Sequence, residues 1–198
     1  MCGRYYIDDA DELYQRLLAE MEPAPRLNRE RPRAVRGEVS PWDIAPVVGP
    51  QGPAWMQWGF SRQEGKGLII NARSETAAEK PTFREPMETG RCLIPASAYF
   101  EWEDAGGQKT KYRLRPQRKG PFYMAGLCRR EPGRALPAFV ILTAPAASGI
   151  RFIHPRMPLI LPEEGADAWL KDASAAQAVI AAAEGDTRYE AEQLRLPI

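Results

Sequence analysis

Apolar positions Leu13, Leu17, Leu18 and Met21 recur at helical spacing, which predicts a helix over Asp9 to Met21 that lays this face on the body. Asp9 and Glu12 have the spacing of a capping box at its start, and Pro23 and Pro25 end it. The middle of the chain then breaks into apolar or alternating segments of strand length. These are Ala54 to Phe60, Leu68 to Asn71, Arg91 to Pro95, Tyr99 to Trp102, Lys111 to Leu114, Phe122 to Leu127 and Ala138 to Thr143. Gly106-Gly107 marks a hairpin between Trp102 and Lys111, since a tight hairpin turn needs positive φ at its centre. Two later helices are predicted, one starting near Pro162 with Glu163 and Glu164 in its first turn, the other running from a Ser174 cap to Gly185. Strands between flanking helices predict an α+β fold in which a mostly antiparallel sheet closes into a barrel or sandwich.

Length and charge narrow the picture. A chain of 198 residues reads as one domain over residues 1–198, able to bury about 70% of its extended surface without a metal or disulfide. Its 19 prolines are scattered, so no linker is seen. A net charge of +1 excludes the broad basic field of a duplex-coating protein, yet leaves room for a groove that holds a few phosphates. Three cysteines without paired spacing argue against a disulfide framework and a zinc site, and no metal or cofactor is expected. Cys92 and Cys128 lie in apolar stretches and read as packed thiols; Cys2 lies outside such a setting. Asp8, Asp9, Asp11 and Glu12 interrupt any leader, and no apolar run approaches the roughly 20 residues of a membrane span. The expectation is a cytoplasmic protein with no membrane partner. Arg26, Arg29, Arg31, Arg33 and Arg36 read as a solvated loop rather than a phosphate track.

The chemistry starts at the N-terminus. Loss of Met1 would leave Cys2 with a free α-amine and a thiol on one residue, a 1,2-aminothiol. The amine can condense with an aldehyde, and the tethered sulfur can close a thiazolidine on the imine without a search. Unperturbed, amine and thiol titrate near neutral pH, so little activation is expected. Three further groups suit proton handling or positioning: Asn71 in Asn71-Ala72-Arg73-Ser74-Glu75-Thr76, Glu101 among Tyr99, Phe100 and Trp102, and His154, the single histidine. Each also has an ordinary reading as a cap, a surface carboxylate or a packed ring.

Taken in order, the Met-Cys-Gly-Arg start, Trp58-Gly59-Phe60, Asn71 to Thr76, Phe100-Glu101-Trp102, Ile141-Leu142-Thr143-Ala144 and His154 to Leu161 resemble the SOS response-associated peptidase (SRAP) family. Members of that family cap abasic sites in single-stranded DNA. The resemblance implies that Cys2 is the nucleophile that joins a ring-opened abasic sugar, with Asn71 orienting the amine and the sugar. It implies Glu101 and His154 as the catalytic carboxylate and imidazole. Arg4, Arg73 and Arg156 then resemble phosphate-contacting arginines, and Thr143 a hydroxyl on the DNA side of the site. A hemiacetal must lose one proton and gain another to open, which assigns His154 to the sugar oxygen as acid and Glu101 to the amine and carbinolamine. The partner is single-stranded DNA containing abasic sites, bound by a monomer that joins the nucleoid when on DNA.

The chain also departs from the family pattern. Asp43 stands where an asparagine is usual and would turn a charge toward nucleic acid, the loop Ser61 to Gly67 lacks tryptophans that stack bases, and the end at Leu194 to Ile198 comes early. Two other readings stay open from the residues. One is an N-terminal-nucleophile peptidase that removes its own Met1, and the other is a non-catalytic module that reads nucleic acid.

Overall fold

Long apolar runs become strands buried on both faces, and they build a ring. The computed structural model describes residues 2–21, 37–62, 66–162, 164–183 and 185–192. Outside these lie Met1, Pro23 and Pro25, the arginines from 26 to 36, loop residues 63–65, Glu163, and residues 193–198. The order is β1 (Arg4–Ile7), α1 (Glu12–Ala19), β2 (Gly37–Val39), β3 (Ile44–Gly49), β4 (Gly52–Trp58), β5 (Phe60–Ser61), β6 (Leu68–Ile69), β7 (Asn71–Arg73), α2 (Pro81–Thr89), β8 (Arg91–Ala96), β9 (Ala98–Ala105), β10 (Gln108–Pro116), β11 (Phe122–Arg129) and β12 (Ala138–Pro145). A short 3₁₀ turn, Ser148–Ile150, leads to β13 (Arg156–Pro158), β14 (Ile160–Leu161), α3 (Gly165–Lys171), α4 (Ala176–Ala181) and β15 (Thr187–Ala191).

Strand β12 is the hub. Its first half pairs with β11 on one side and β4 on the other, and its second half with β13 and β7. Since β4 pairs β3, β3 pairs β8 and β8 pairs β11, the strands β3-β4-β12-β11-β8 close a ring. The expected α+β fold with a largely antiparallel, closed sheet is therefore present, with parallel joints where β12 meets β4 and β7. A second, five-stranded sheet runs β15-β10-β9-β1-β2. Alternation along the ring strands separates two cores. Cys92, Ile94, Met124, Phe139 and Ile141 join Tyr5, Tyr99 and Leu114 of the second sheet, whereas Leu93, Leu127, Val140 and Leu142 meet Met87 of α2, Trp169 of α3 and Val179 of α4.

Several local expectations are corrected. The Asp9–Glu12 capping box does not form, because α1 starts at Glu12 with Asp11 as its N-cap, and the Asp11 carboxylate instead accepts the Ser97 hydroxyl. Ser97 Oγ also takes the Asp8 N–H at 2.8 Å, so this cluster ties the end of β1 to the turn between β8 and β9. Tyr14 and Leu17 fill the buried face of α1, while Leu13, Leu18 and Met21 are half-buried. The segment Ala54 to Phe60 divides at Gly59, whose φ of 108° only glycine adopts readily. Helix α3 starts at Gly165, with Asp167 in its first turn. Helix α4 starts at Ala176, because the Ser174 hydroxyl donates to Asp172 at 2.6 Å instead of capping, and it ends well before Gly185. The Gly106-Gly107 hairpin is as expected, with φ of 64° and 90°.

Helix α2 has no counterpart in the sequence reading. Pro81 sits in its first turn, where a missing N–H costs nothing, but Pro86 removes an interior hydrogen bond. The carbonyl thereby released, that of Thr82, accepts Arg129 Nη1 at 3.1 Å. Buried Arg91 completes the packing: its guanidinium donates to the carbonyls of Met87, Glu88 and Trp169, at the ends of α2 and α3.

Candidate active site

Four segments distant in sequence bring the predicted chemistry to one place. Cys2 precedes β1, Asn71 opens β7 on the flank of β12, Glu101 lies within β9, and His154 lies in the turn before β13. Pairing of β1 with β9 carries the N-terminus past Glu101, while pairing of β7 with β12 sets Asn71 level with Ile141. The Asn71 Nδ2 amide donates to the Cys2 carbonyl at 2.9 Å, which fixes the backbone beside the Cys2 thiol. Glu101 Oε1 lies 4.0 Å from His154 Nδ1, beyond hydrogen-bond reach yet close enough for the two to share one substrate.

Cys2 corrects the view of an N-terminus outside an apolar setting. Its side chain is fully buried within the inner core. Burial first, and the neighbouring Glu101 carboxyl second, push the thiol far above its ordinary range, so at neutral pH it is protonated. Sγ points toward the Arg4 carbonyl at 3.7 Å. Glu101 is itself buried, and desolvation pushes its carboxyl up to about 7, leaving both protonation states populated near neutral pH. His154 moves the other way, held below its usual value chiefly by desolvation. His154 Nδ1 lies 3.0 Å from the Arg156 backbone N–H and 3.1 Å from the Arg156 carbonyl, so this nitrogen accepts from the first or donates to the second according to the ring's tautomer.

The other expected residues form a shell one step along β7, β12 and β13. Arg73 is exposed and shares a face with Asn71. Thr143 is level with Arg73 across the β12–β7 joint, but its side chain is fully buried. Its hydroxyl and carbonyl both accept from Arg156 Nη2, at 3.2 and 2.5 Å. Thr143 therefore holds Arg156 rather than opening to solvent. The Arg156 guanidinium also forks onto Glu75, one arm at 2.8 Å, and this hydrogen-bonded pairing depresses the Glu75 carboxyl to about 2. Arg4 is likewise engaged, donating to Glu38 at 2.9 Å with its guanidinium over the Trp102 ring. Glu75 and Glu38 are the partners that the sequence reading missed. Glu75 stands inside the quoted Asn71 to Thr76 stretch, while nothing in the chain marks Glu38.

Asp43 does not present its charge outward as expected. Its carboxylate accepts the Ser40 N–H at 2.8 Å and closes a turn that leaves Trp42 exposed at a φ of 77°. Among the described residues no group of three or more His, Cys, Asp or Glu side chains is gathered to hold a metal, and no helix is long and apolar enough to cross a membrane.

Comparison with known proteins converges on one family. The family model described as SOS response associated peptidase (SRAP) matches residues 1–196. The abasic site processing protein YedK of Escherichia coli (strain K12) is 33% identical over 187 residues, 86% of this chain and 80% of that protein. The abasic site processing protein YobE of Bacillus subtilis (strain 168) is 38% identical over 125 residues, 58% of this chain and 57% of that protein. The match thus spans a little over half the length of such Bacillus relatives. A crystal structure of a protein from Bacteroides thetaiotaomicron superimposes with a TM-score of 0.78 at 21% identity, covering 98% of this chain and 93% of that one, and shows the shared fold.

Proposed function

The chain belongs to the SOS response associated peptidase (SRAP) family, and from that premise we propose that it captures abasic sites in single-stranded DNA as a covalent thiazolidine at Cys2. The convergence of Cys2, Asn71, Glu101 and His154 from four separate segments is the observation that carries this reading. Relatives named abasic site processing proteins support the substrate class. The near-neutral charge favours a grip on a short single strand over the coating of a duplex.

The reaction needs the Cys2 α-amine, hence removal of Met1. An abasic sugar is mostly a closed hemiacetal, so its hydroxyl must lose a proton while the ring oxygen gains one. Glu101, populated in both states near pH 7, suits that exchange. His154 acts here as a neutral hydrogen-bonding partner of the sugar oxygen, a revision of the acid role expected from sequence, since its affinity for a second proton is lowered. The Cys2 amine then adds to the aldehyde carbon, and the carbinolamine loses water with a proton from Glu101. The thiol adds across the resulting C=N bond, sulfur to carbon and proton to nitrogen. The net change is aldehyde plus aminothiol giving thiazolidine and one water, so no oxidant or reductant is required.

The buried, protonated thiol tolerates this order of events because the imine receives its proton. It weighs against the peptidase reading, in which a thiolate must attack an unactivated amide. Arg73, and Arg4 and Arg156 once phosphate displaces Glu38 and Glu75, hold the strand. The test is a denaturing gel with an abasic single strand. A stable slow-moving adduct is expected with the mature protein and none when a non-removable extension blocks the Cys2 amine; capture by the blocked protein would overturn the reading.

A further inference from the structure

Three rings that the proposed chemistry leaves unused meet at the rim of the site. Tyr112, Phe152 and Tyr189 stand edge-on to one another, with centroids 6.0 Å apart for Tyr112–Phe152, 5.7 Å for Tyr112–Tyr189 and 5.3 Å for Phe152–Tyr189. Phe152 is 50% exposed and Tyr189 44%, which sets them with Trp42 as the large apolar side chains most open to solvent among the described residues. A lone exposed ring calls for no explanation, but a contiguous aromatic face held in place does. The Tyr112 hydroxyl donates to Glu103 at 2.9 Å and anchors that ring.

Position selects the occupant. The β9–β10 register sets Tyr112 directly across from Glu101, so the two side chains share a face and start about 5 Å apart. Phe152 precedes His154 by two residues in the same turn. The cluster is thus continuous with the groups proposed to open the sugar. Beside it, exposed Arg151 supplies a cation. Ring faces stack on bases irrespective of sequence, which suits a partner whose lesion has no base of its own to read. The loop from Ser61 to Gly67 contains no aromatic residue that could do this instead.

We propose that Tyr112, Phe152 and Tyr189 form a stacking surface for an unpaired base that neighbours the captured abasic sugar; this rests on the function proposed above. The test uses two oligonucleotides of equal length with one abasic site each. In one, adenines flank the site on both sides; in the other, tetrahydrofuran spacers, which lack bases and cannot form an aldehyde, take their place. Capture rates at sub-saturating protein are measured for the parent and for the double variant Phe152→Leu/Tyr189→Leu, which keeps apolar bulk but offers no ring face. The parent should capture the adenine-flanked site about tenfold faster, and the double variant should bring that ratio to within about twofold. Because each ratio is internal to one protein, a smaller folded fraction lowers both rates and leaves the ratio unchanged. A variant that keeps the parent's ratio, or a parent indifferent to flanking bases, overturns the stacking surface while abasic capture stands. Failure of the parent to capture either strand overturns the functional reading and this inference together.

Discussion

Cys2 shows how far burial can shift a residue's chemistry from what its type alone implies. From the sequence, the aminothiol looked ready to react; in the fold its sulfur is sealed in the core and protonated, and Glu101 beside it shares the penalty. In the proposed reaction the amine therefore acts first and the sulfur last. Cys2→Ser should keep the amine and lose the trap, giving an adduct that survives a denaturing gel only after borohydride reduction; an equally stable unreduced adduct would contradict this order. Glu101 also leaves a mark on stability. Its folded value of about 7 exceeds the unreacted carboxyl's 4.5, so the folded state holds a proton that the unfolded chain releases between those values. Its contribution is fully present below about pH 4.5 and is lost as pH rises through 7. Glu101→Gln removes that loss and should gain about 2–3 kcal/mol over the parent at pH 8 but not at pH 4.5, read by denaturant melts at both. The types and order of Cys2, Asn71, Glu101 and His154 were legible in the chain. The occupation of Arg156 by Glu75 was not, because it joins residues 81 apart on separate strands.

Among the elements, strands were legible where apolar residues run without interruption, as in Arg91 to Pro95 and Phe122 to Leu127, since a strand buried on both faces needs no polar alternation. Helix α2 was not legible. Its prolines speak against a helix locally, and its integrity depends on Arg129 from β11 and Arg91 from β8. The expected Asp9 and Ser174 caps failed for a related reason: α1 starts later, with Asp11 as its N-cap and that carboxylate taking the Ser97 hydroxyl, and Ser174 bonds Asp172, so such contacts override propensity. The ring also sets a close approach that only glycine permits. A Cβ on Gly126 of β11 would lie 2.2 Å from Ile94 Cδ1 and 2.7 Å from the Val140 carbonyl oxygen. Gly126→Ala should therefore cost about 1–3 kcal/mol and lower Tm by roughly 3–10 °C in a thermal melt; an unchanged Tm would mean that β8, β11 and β12 do not pack as described.

At the scale of the whole molecule, the second sheet brings Cys2 and Glu101, and the ring brings Asn71 and Arg156, to a common seam. Charge tunes what meets that seam. With a net charge of +1 and two of the three arginines proposed to hold the strand already on carboxylates, few counterions should be released on binding. Log affinity for an undamaged single strand should fall with log salt at a slope of roughly −2, at about 0.7 per phosphate neutralised; a slope of −5 or steeper would point to a basic surface elsewhere. The most direct test of the central claim is the intact mass of the purified protein before and after incubation with an abasic single strand. The account predicts a protein lighter than its full sequence by one methionine, converted to a species weighing protein plus oligonucleotide less one water. Met1-free protein that stays unshifted, or capture by protein that still carries Met1, would contradict it.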